Sequence, residues 1–132
     1  MTYGYQIPYP IFNLPLGDRW LMRDSLFRTL GQYTRHAHHV KVGITNNPYR
    51  RWYEHSIDGW EKMVVVYRSP CRTDETRLQD VREIERELIE HVRRRSTSEF
   101  YYYNIRDGGD GPPATGDQYV YVLLSSKWRK RR

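Results

Sequence analysis

The stretch that decides the fold of this chain is Val40-Lys41-Val42-Gly43-Ile44-Thr45-Asn46-Asn47-Pro48-Tyr49-Arg50-Arg51-Trp52-Tyr53-Glu54-His55. Its first residues alternate between β-branched side chains and Lys or Gly, which predicts a strand that buries the branched set. Asn47 and Pro48 then predict a helix start, because Asn is a favoured N-cap residue and Pro suits the first helical position. The stretch therefore predicts a strand, a tight turn and a helix.

Four residues of this unit predict a cationic recess. Lys41 and Gly43 project from the strand, on the side away from the branched residues. Arg51 and His55 are four residues apart, so they lie on one face of the new helix. Together these residues leave room for a phosphate group beside positive charge.

The composition narrows the class of protein. The chain has 132 residues and a net charge of +6, which suits one domain over 1–132 with an anionic partner, and we expect nucleic acid rather than membrane. Twelve Tyr and four Trp suit either base stacking or an aromatic core, and composition does not choose between them. The single cysteine, Cys71, excludes an internal disulfide and a Cys-based zinc site. Without a signal peptide or a membrane-spanning apolar run, we expect an intracellular protein, cytoplasmic or, in a eukaryote, nuclear.

Outside the central stretch, the pattern predicts an α+β fold with a small, mostly antiparallel central sheet flanked by helices. Residues 1–39 are expected to form an N-terminal arm, irregular because of its prolines, and a helix that runs from Asp18 to about Leu30 and ends at Gly31. His36, His38 and His39 follow in a loop that we expect to face phosphate or solvent rather than a metal. The later predicted elements are a central strand over 63–67, a helix from Thr73 to about Arg94, an aromatic extended stretch over 100–104, a strand over 119–124 and a basic tail over 127–132.

One carboxylate of the long helix falls on the wrong face. At 100° per residue, the helix has an apolar stripe of Leu78, Val81, Leu88, Ile89 and Val92. Glu85 lies inside this stripe, whereas Asp80 and the other acidic residues are predicted to lie on the solvated face. A carboxylate facing the protein is costly unless it is paired or binds a metal. Glu85 therefore either extends out to solvent, pairs with a buried Arg or serves a function, and we favour function.

The last strand places a phenol near the cationic recess. Val120 and Val122 point to one face of this strand, and Tyr119 and Tyr121 point to the other. If the strand pairs with the Lys41 strand, the valine faces share the core, and Tyr121 shares the opposite face with Lys41.

Taken together, these residues resemble the GIY-YIG nuclease superfamily. The segment Lys41–Pro48, followed by Arg51 and His55, is similar to its second signature strand, turn and arginine-bearing helix. The segment Ile84–Ile89 resembles the helix that carries the family's metal-binding glutamate. Tyr103-Asn104-Ile105, followed by Asp107-Gly108-Gly109, is similar to its downstream asparagine segment. The resemblance covers roughly residues 40–126.

The resemblance departs from the family in two places. The family's first signature strand, which bears a catalytic tyrosine, normally precedes the second, and here the C-terminal segment 119–126 resembles it instead. We therefore expect a circular permutation, which costs little when the break falls in a hairpin tip. Tyr121 then matches the catalytic tyrosine, with Tyr119 as the alternative; Tyr3-Gly4-Tyr5 is disfavoured by its proline-rich setting. The second departure is Lys41, where the family usually has a tyrosine.

The resemblance implies an endonuclease that hydrolyses DNA phosphodiester bonds with one divalent ion, Mg²⁺ or Mn²⁺. Glu85 is expected to hold the metal, and Tyr121 to act as a phenolate general base. A free phenol has a pKa of about 10, so the nearby charges of Lys41 and Arg51 would have to favour the phenolate. Arg51 is expected to clamp the phosphate, and His55 to orient it or to assist proton transfer.

The expected partner is DNA, with RNA left open, as is a homodimer or a recruiting protein. Asn104 is expected to support the metal site or the fold, and we group it with four basic residues as nucleic-acid-binding candidates: Arg50, Lys127, Arg129 and Lys130. The basic tail would add sequence-independent phosphate affinity. Two rival interpretations remain, namely a GIY-YIG-like module that binds nucleic acid without cutting it, and a structural or regulatory protein that binds partners through its aromatic arm.

Overall fold

The computed structural model describes residues 9–14, 19–34, 37–94, 101–102 and 115–125. These residues form three helices and five strands. The helices are α1 (Arg19–Thr34), α2 (Pro48–Ile57) and α3 (Asp74–Arg94). The strands are β1 (Ile11–Phe12), β2 (His39–Thr45), β3 (Lys62–Arg68), β4 (Tyr101–Tyr102) and β5 (Tyr119–Ser125).

The strands form one sheet in the order β1-β3-β5-β2-β4. The three long strands, β3, β5 and β2, are antiparallel, whereas the two-residue strands β1 and β4 add parallel pairing at the edges. The predicted α+β class is confirmed. The predicted pairing of the last strand with the Lys41 strand is also confirmed, with Gly43 opposite Tyr121. The strand predicted over 63–67 is an internal strand, paired with β1 on one side and with β5 on the other, and β5 occupies the middle of the sheet.

The sheet separates two apolar layers. One face packs against α1 and α3 and holds the larger cluster, with Val42, Val120 and Val122 among its strand residues. The other face packs against α2 and holds a smaller cluster: Trp52, Trp60, Met63, Val65, Tyr121 and Leu123. The alternation of side chains along β5 thus divides its residues between the two layers.

Local capping explains where α2 and α3 begin. The Asn47 side-chain oxygen accepts the N–H of Arg50 at 3.2 Å, and Pro48 occupies the first turn, both as predicted. The Thr73 hydroxyl likewise accepts the N–H of Thr76 at 3.2 Å, ahead of α3. α1 differs from prediction, because it continues through Gly31 to Thr34. Burial of Leu30 and the bond from the Thr34 hydroxyl to the Leu30 carbonyl, 2.8 Å, outweigh a glycine penalty of about 1 kcal/mol.

Two other expectations need correction. The N-terminal arm is not wholly irregular, because Ile11 and Phe12 pair with β3 in a short parallel ladder. Asp80 is not on a solvated face; it is buried and accepts a 2.6 Å hydrogen bond from the Tyr67 hydroxyl. An irregularity in β3 between Val65 and Tyr67 places Tyr67 in the α3 layer, a local effect that helical periodicity cannot reveal. In the described part of the chain, no helix is long and apolar enough to cross a membrane.

Candidate active site

The site is built around the phenol of Tyr121, which lies across the neighbouring strand at Gly43. The two residues are directly opposite each other in the β5–β2 register. A methyl group added at Gly43 would overlap the Tyr121 hydroxyl and would lie 2.5 Å from Cζ. The sequence predicted that Gly43 helps to leave room for a phosphate group; in the structure the space beside its Cα is occupied by the phenol. Only a residue without a side chain allows the ring to lie there.

His55 of α2 forms a hydrogen bond with the Tyr121 hydroxyl. The His55 Nε2 lies 3.0 Å from the Tyr121 hydroxyl oxygen, and the ring centroids are 5.7 Å apart. A neutral Nε2 without a proton accepts the phenol O–H, whereas a protonated Nε2 donates to the phenolate oxygen. His55 can therefore take up the phenol proton or stabilise the phenolate, which is the chemistry that a tyrosine base requires.

Lys41 shares the face of the sheet that carries Tyr121. It lies two residues before Gly43 on β2, about 7 Å along the strand, and is half-buried opposite Leu123. Tyr119 points to the same face one pair further along, opposite Thr45. Tyr121 is the phenol in contact with His55, which favours it over Tyr119 as the reactive tyrosine.

A cationic recess opens at the start of α2. It measures about 180 Å³ and is lined by Thr45, Asn46, Asn47, Arg50, Arg51 and Glu54. The Asn46 amide donates to the Thr115 carbonyl at 3.1 Å, which ties the turn before α2 to the segment before β5. A hydrogen bond at the recess thus links the turn before α2 with the segment before β5, the strand that carries Tyr121.

The guanidinium groups of the recess are partly engaged by one carboxylate. Arg51 Nη1 donates to Glu54 Oε1 at 3.2 Å, and Arg50 Nε lies 3.8 Å from Glu54 Oε2. Because both pairs are open to solvent, each contributes little stability and is readily exchanged for another anion. Two guanidiniums against one carboxylate leave this recess cationic. Its lining differs from the predicted one, because Arg51 is present whereas Lys41, Gly43 and His55 are not, and the part played by Glu54 was missed.

Glu85 lies in the layer on the other face of the sheet. It is 1% exposed and lies among Val81, Ile84, Leu88 and Ile89 of α3, whose side chains pack in the larger cluster. Its predicted inward direction is therefore confirmed. The structure brings Lys41, His55 and Tyr121 to one face and places Glu85 on the helix against the other, so their meeting in one pocket stays a prediction.

The remaining predicted residues divide into three groups. His39 is buried in β2 rather than in a loop, and His38 is exposed just before it. Arg50 lines the recess. The remaining candidates lie outside the described residues: His36, Asn104, Lys127, Arg129, Lys130 and the Tyr3-Gly4-Tyr5 alternative.

We expect Gly43→Ala to destabilise the protein by about 1–3 kcal/mol, because the added methyl displaces the packed phenol. Urea unfolding of the single variants and of Gly43→Ala combined with Tyr121→Ala measures the coupling between the two positions. The alanine at residue 43 should cost little once the ring has been removed. An equal cost in both backgrounds would contradict the close approach of Tyr121 to Gly43.

Comparison of the chain with family models, with curated proteins and with solved structures found no match.

Proposed function

We propose that this protein is a metal-dependent endonuclease that hydrolyses DNA phosphodiester bonds, with Tyr121 as the general base. The observation that carries the proposal is the Tyr121 hydroxyl, held over Gly43 and 3.0 Å from His55 Nε2. A phenol placed in this way has a proton acceptor and a fixed position, and it lies on the sheet face that carries Lys41 and, two residues beyond Gly43, Thr45 of the cationic recess. These are the requirements for deprotonating a water molecule next to a bound phosphate.

The proposed reaction assigns one task to each residue. His55 Nε2 accepts the phenol proton, and Tyr121 as phenolate takes a proton from the attacking water. The water oxygen bonds to phosphorus while the bond from phosphorus to the 3′-oxygen breaks, and that oxygen is protonated by solvent. Arg51 exchanges Glu54 for the phosphate and stabilises the negative charge that grows on it. Lys41 supplies positive charge on the same face of the sheet as Tyr121.

Glu85 is the residue that would hold the divalent ion, Mg²⁺ or Mn²⁺. The described residues contain no group of three acidic, His or Cys side chains suited to a metal, so the ion would rely on one carboxylate, waters and substrate phosphate, as Mg²⁺ commonly does. Glu85 fits in chemistry, because carboxylate oxygens are the protein ligands that Mg²⁺ and Mn²⁺ prefer. Such an ion supplies neutralisation of the phosphate and the leaving oxygen.

The arrangement of strands supports assignment to a permuted GIY-YIG-type nuclease. β5, which carries Tyr121, is antiparallel to β2, which carries Lys41 and Gly43. Moving the first signature strand to a position after the glutamate helix requires this pairing. The helix after β2 begins with Asn47 and Pro48 and carries Arg51 and His55, in the order of the signature.

One experiment tests the proposal directly. The protein is incubated with labelled single-stranded, duplex and branched DNA, in Mg²⁺ and in EDTA, and products are separated on a denaturing gel. We expect cleavage in Mg²⁺ that EDTA abolishes and Mn²⁺ restores. Cleavage that continues in EDTA would contradict the metal requirement, and intact DNA on every substrate would contradict the nuclease.

The position of Glu85 favours a second candidate, a module that binds nucleic acid without cutting it. The carboxylate belongs to the α3 layer, whereas the phenol and the recess belong to the α2 side. A binding module needs only the recess and the positive charge. Salt-dependent DNA binding without cleavage in either metal would select this alternative.

A further inference from the structure

The outer side of α2 carries an apolar ridge that the core does not use. Tyr49, Tyr53 and Ile57, which we call the outer ridge, recur every four residues and are 59%, 68% and 71% exposed. This spacing places them in one stripe along the helix. Phe12 of β1 extends the ridge, with its ring centroid 5.8 Å from that of Tyr49. Contiguous exposed side chains of this size mark an interaction surface.

The aromatic residues of α2 and the segment after it divide between the core and the surface. Trp52 and Trp60 are buried in the layer beneath α2, so they serve the core. Tyr49 and Tyr53 project from the same helix and are mostly exposed, so packing in the core does not account for them. Two flat aromatic rings in solvent are suited to stacking on other flat rings.

The charge around the outer ridge indicates which kind of partner binds it. Arg50 lies between the two tyrosines in sequence and presents a side chain that is 79% exposed beside the cationic recess. A second copy of this chain would bring another net charge of +6 and a second Arg50 to the contact, which like-charge repulsion opposes. A nucleic-acid strand is a polyanion with flat apolar bases. Its bases can stack on the tyrosine rings and its phosphates can pair with the guanidinium.

The spacing of Tyr49 and Tyr53 along α2 favours unpaired rather than paired bases. Four residues along a helix correspond to a rise of about 6 Å, whereas bases stacked in a duplex strand are about 3.4 Å apart. Consecutive bases of an intact duplex therefore do not match Tyr49 and Tyr53. Bases of an extended single strand can be separated far enough to meet one ring each.

We infer that Tyr49 and Tyr53 form a stacking subsite for unpaired nucleobases, with Arg50 contacting the adjoining phosphate. The inference deepens the proposed function and rests on it for the presence of a nucleic-acid strand in the recess. It specifies the substrate class as DNA with a single-stranded segment, such as a flap, a gap or a free strand, next to the cleaved bond.

Fluorescence anisotropy in EDTA tests the subsite without cleavage. The wild-type protein and its variants are titrated into a dye-labelled single-stranded oligonucleotide and into the matching duplex. We expect Tyr53→Ala to weaken single-strand binding at least fivefold and duplex binding less than twofold, whereas Tyr53→Phe retains the ring and the affinity. Tyr9→Ala is the matched control, because Tyr9 is a tyrosine outside the ridge and is 67% exposed, close to the 68% of Tyr53; it should change neither affinity.

The salt dependence separates stacking from phosphate contact. Tyr53→Ala should leave the slope of log affinity against log salt unchanged, whereas Arg50→Gln should reduce it by about 0.7 on the single strand. Unchanged single-strand affinity in Tyr53→Ala, or equal losses on both DNAs, would overturn the subsite. Self-association of the wild type that Tyr53→Ala removes, with DNA affinity kept, would assign the ridge to a second copy instead. If the wild type binds neither DNA, the proposed function is rejected as well. If the wild type cleaves DNA but Tyr53→Ala leaves the single-strand affinity unchanged, only the subsite is rejected.

Discussion

Tyr121→Phe should lower the rate of DNA cleavage at least a hundredfold, the scale on which a positioned general base contributes. The substitution removes the oxygen that lies 3.0 Å from His55 Nε2 and keeps the ring that packs over Gly43. The expected loss is therefore chemical rather than structural. Single-turnover cleavage in Mg²⁺ measures it, and a thermal melt checks that the sheet is retained.

Tyr119→Phe is the matched control for this variant. Tyr119 lies on the same strand and face, two residues earlier, and packs against the same small cluster. If Tyr121 is the base, Tyr119→Phe should keep cleavage within about threefold of the wild type, well below the effect of losing a base. A reversed pattern, with activity lost at Tyr119 and kept at Tyr121, would transfer the role to the other phenol.

Glu85→Gln should abolish metal-dependent cleavage, also by at least a hundredfold, while the protein remains folded. The amide has nearly the volume of the carboxylate, so the packing of α3 on the sheet is preserved. Loss of the negative charge removes the group that would hold the divalent ion. The rate is measured over a Mg²⁺ titration, so that weak metal binding is distinguished from loss of the site.

A second measurement makes this prediction independent of activity. Millimolar Mn²⁺ should raise the thermal midpoint of the wild type, because a ligand bound only to the folded state stabilises it. The shift should be absent in Glu85→Gln and present in Glu87→Gln, a half-buried glutamate of the same helix. Equal shifts in both variants would locate the metal elsewhere, and full cleavage by Glu85→Gln would leave Glu85 a structural residue.

The sequence predicted the elements of the fold correctly where the hydrophobic periodicity is regular and the helix-capping residues are typical. The alternation in β2 and β5, the Asn47-Pro48 cap and the apolar stripe of α3 each depend on neighbouring residues, and each was correct. The errors arose where distant parts of the chain decide the outcome. Gly31 stays helical next to the buried Leu30, and Asp80 is buried because the Tyr67 hydroxyl of β3 donates a hydrogen bond to it.

The sequence predicted which residues belong to the candidate site better than it predicted how their side chains are arranged. Alternation along two strands was enough to place Lys41 and Tyr121 on one face once their pairing was assumed, and the register confirms it. The fit of the phenol over Gly43 and the engagement of Arg51 by Glu54 depend on side-chain positions that no sequence period specifies. Likewise, the helical wheel showed that Glu85 points inward but not which face of the sheet it meets.

The central position of β5 also governs how the protein reaches its native state. β2 and β3 are close in the chain but do not pair with each other; each pairs with β5, more than fifty residues further on. Until that strand arrives, both present unsatisfied backbone edges that can join other chains, so aggregation competes with folding. Such long-range pairing slows folding, and a fragment that stops before residue 115 should remain without a sheet.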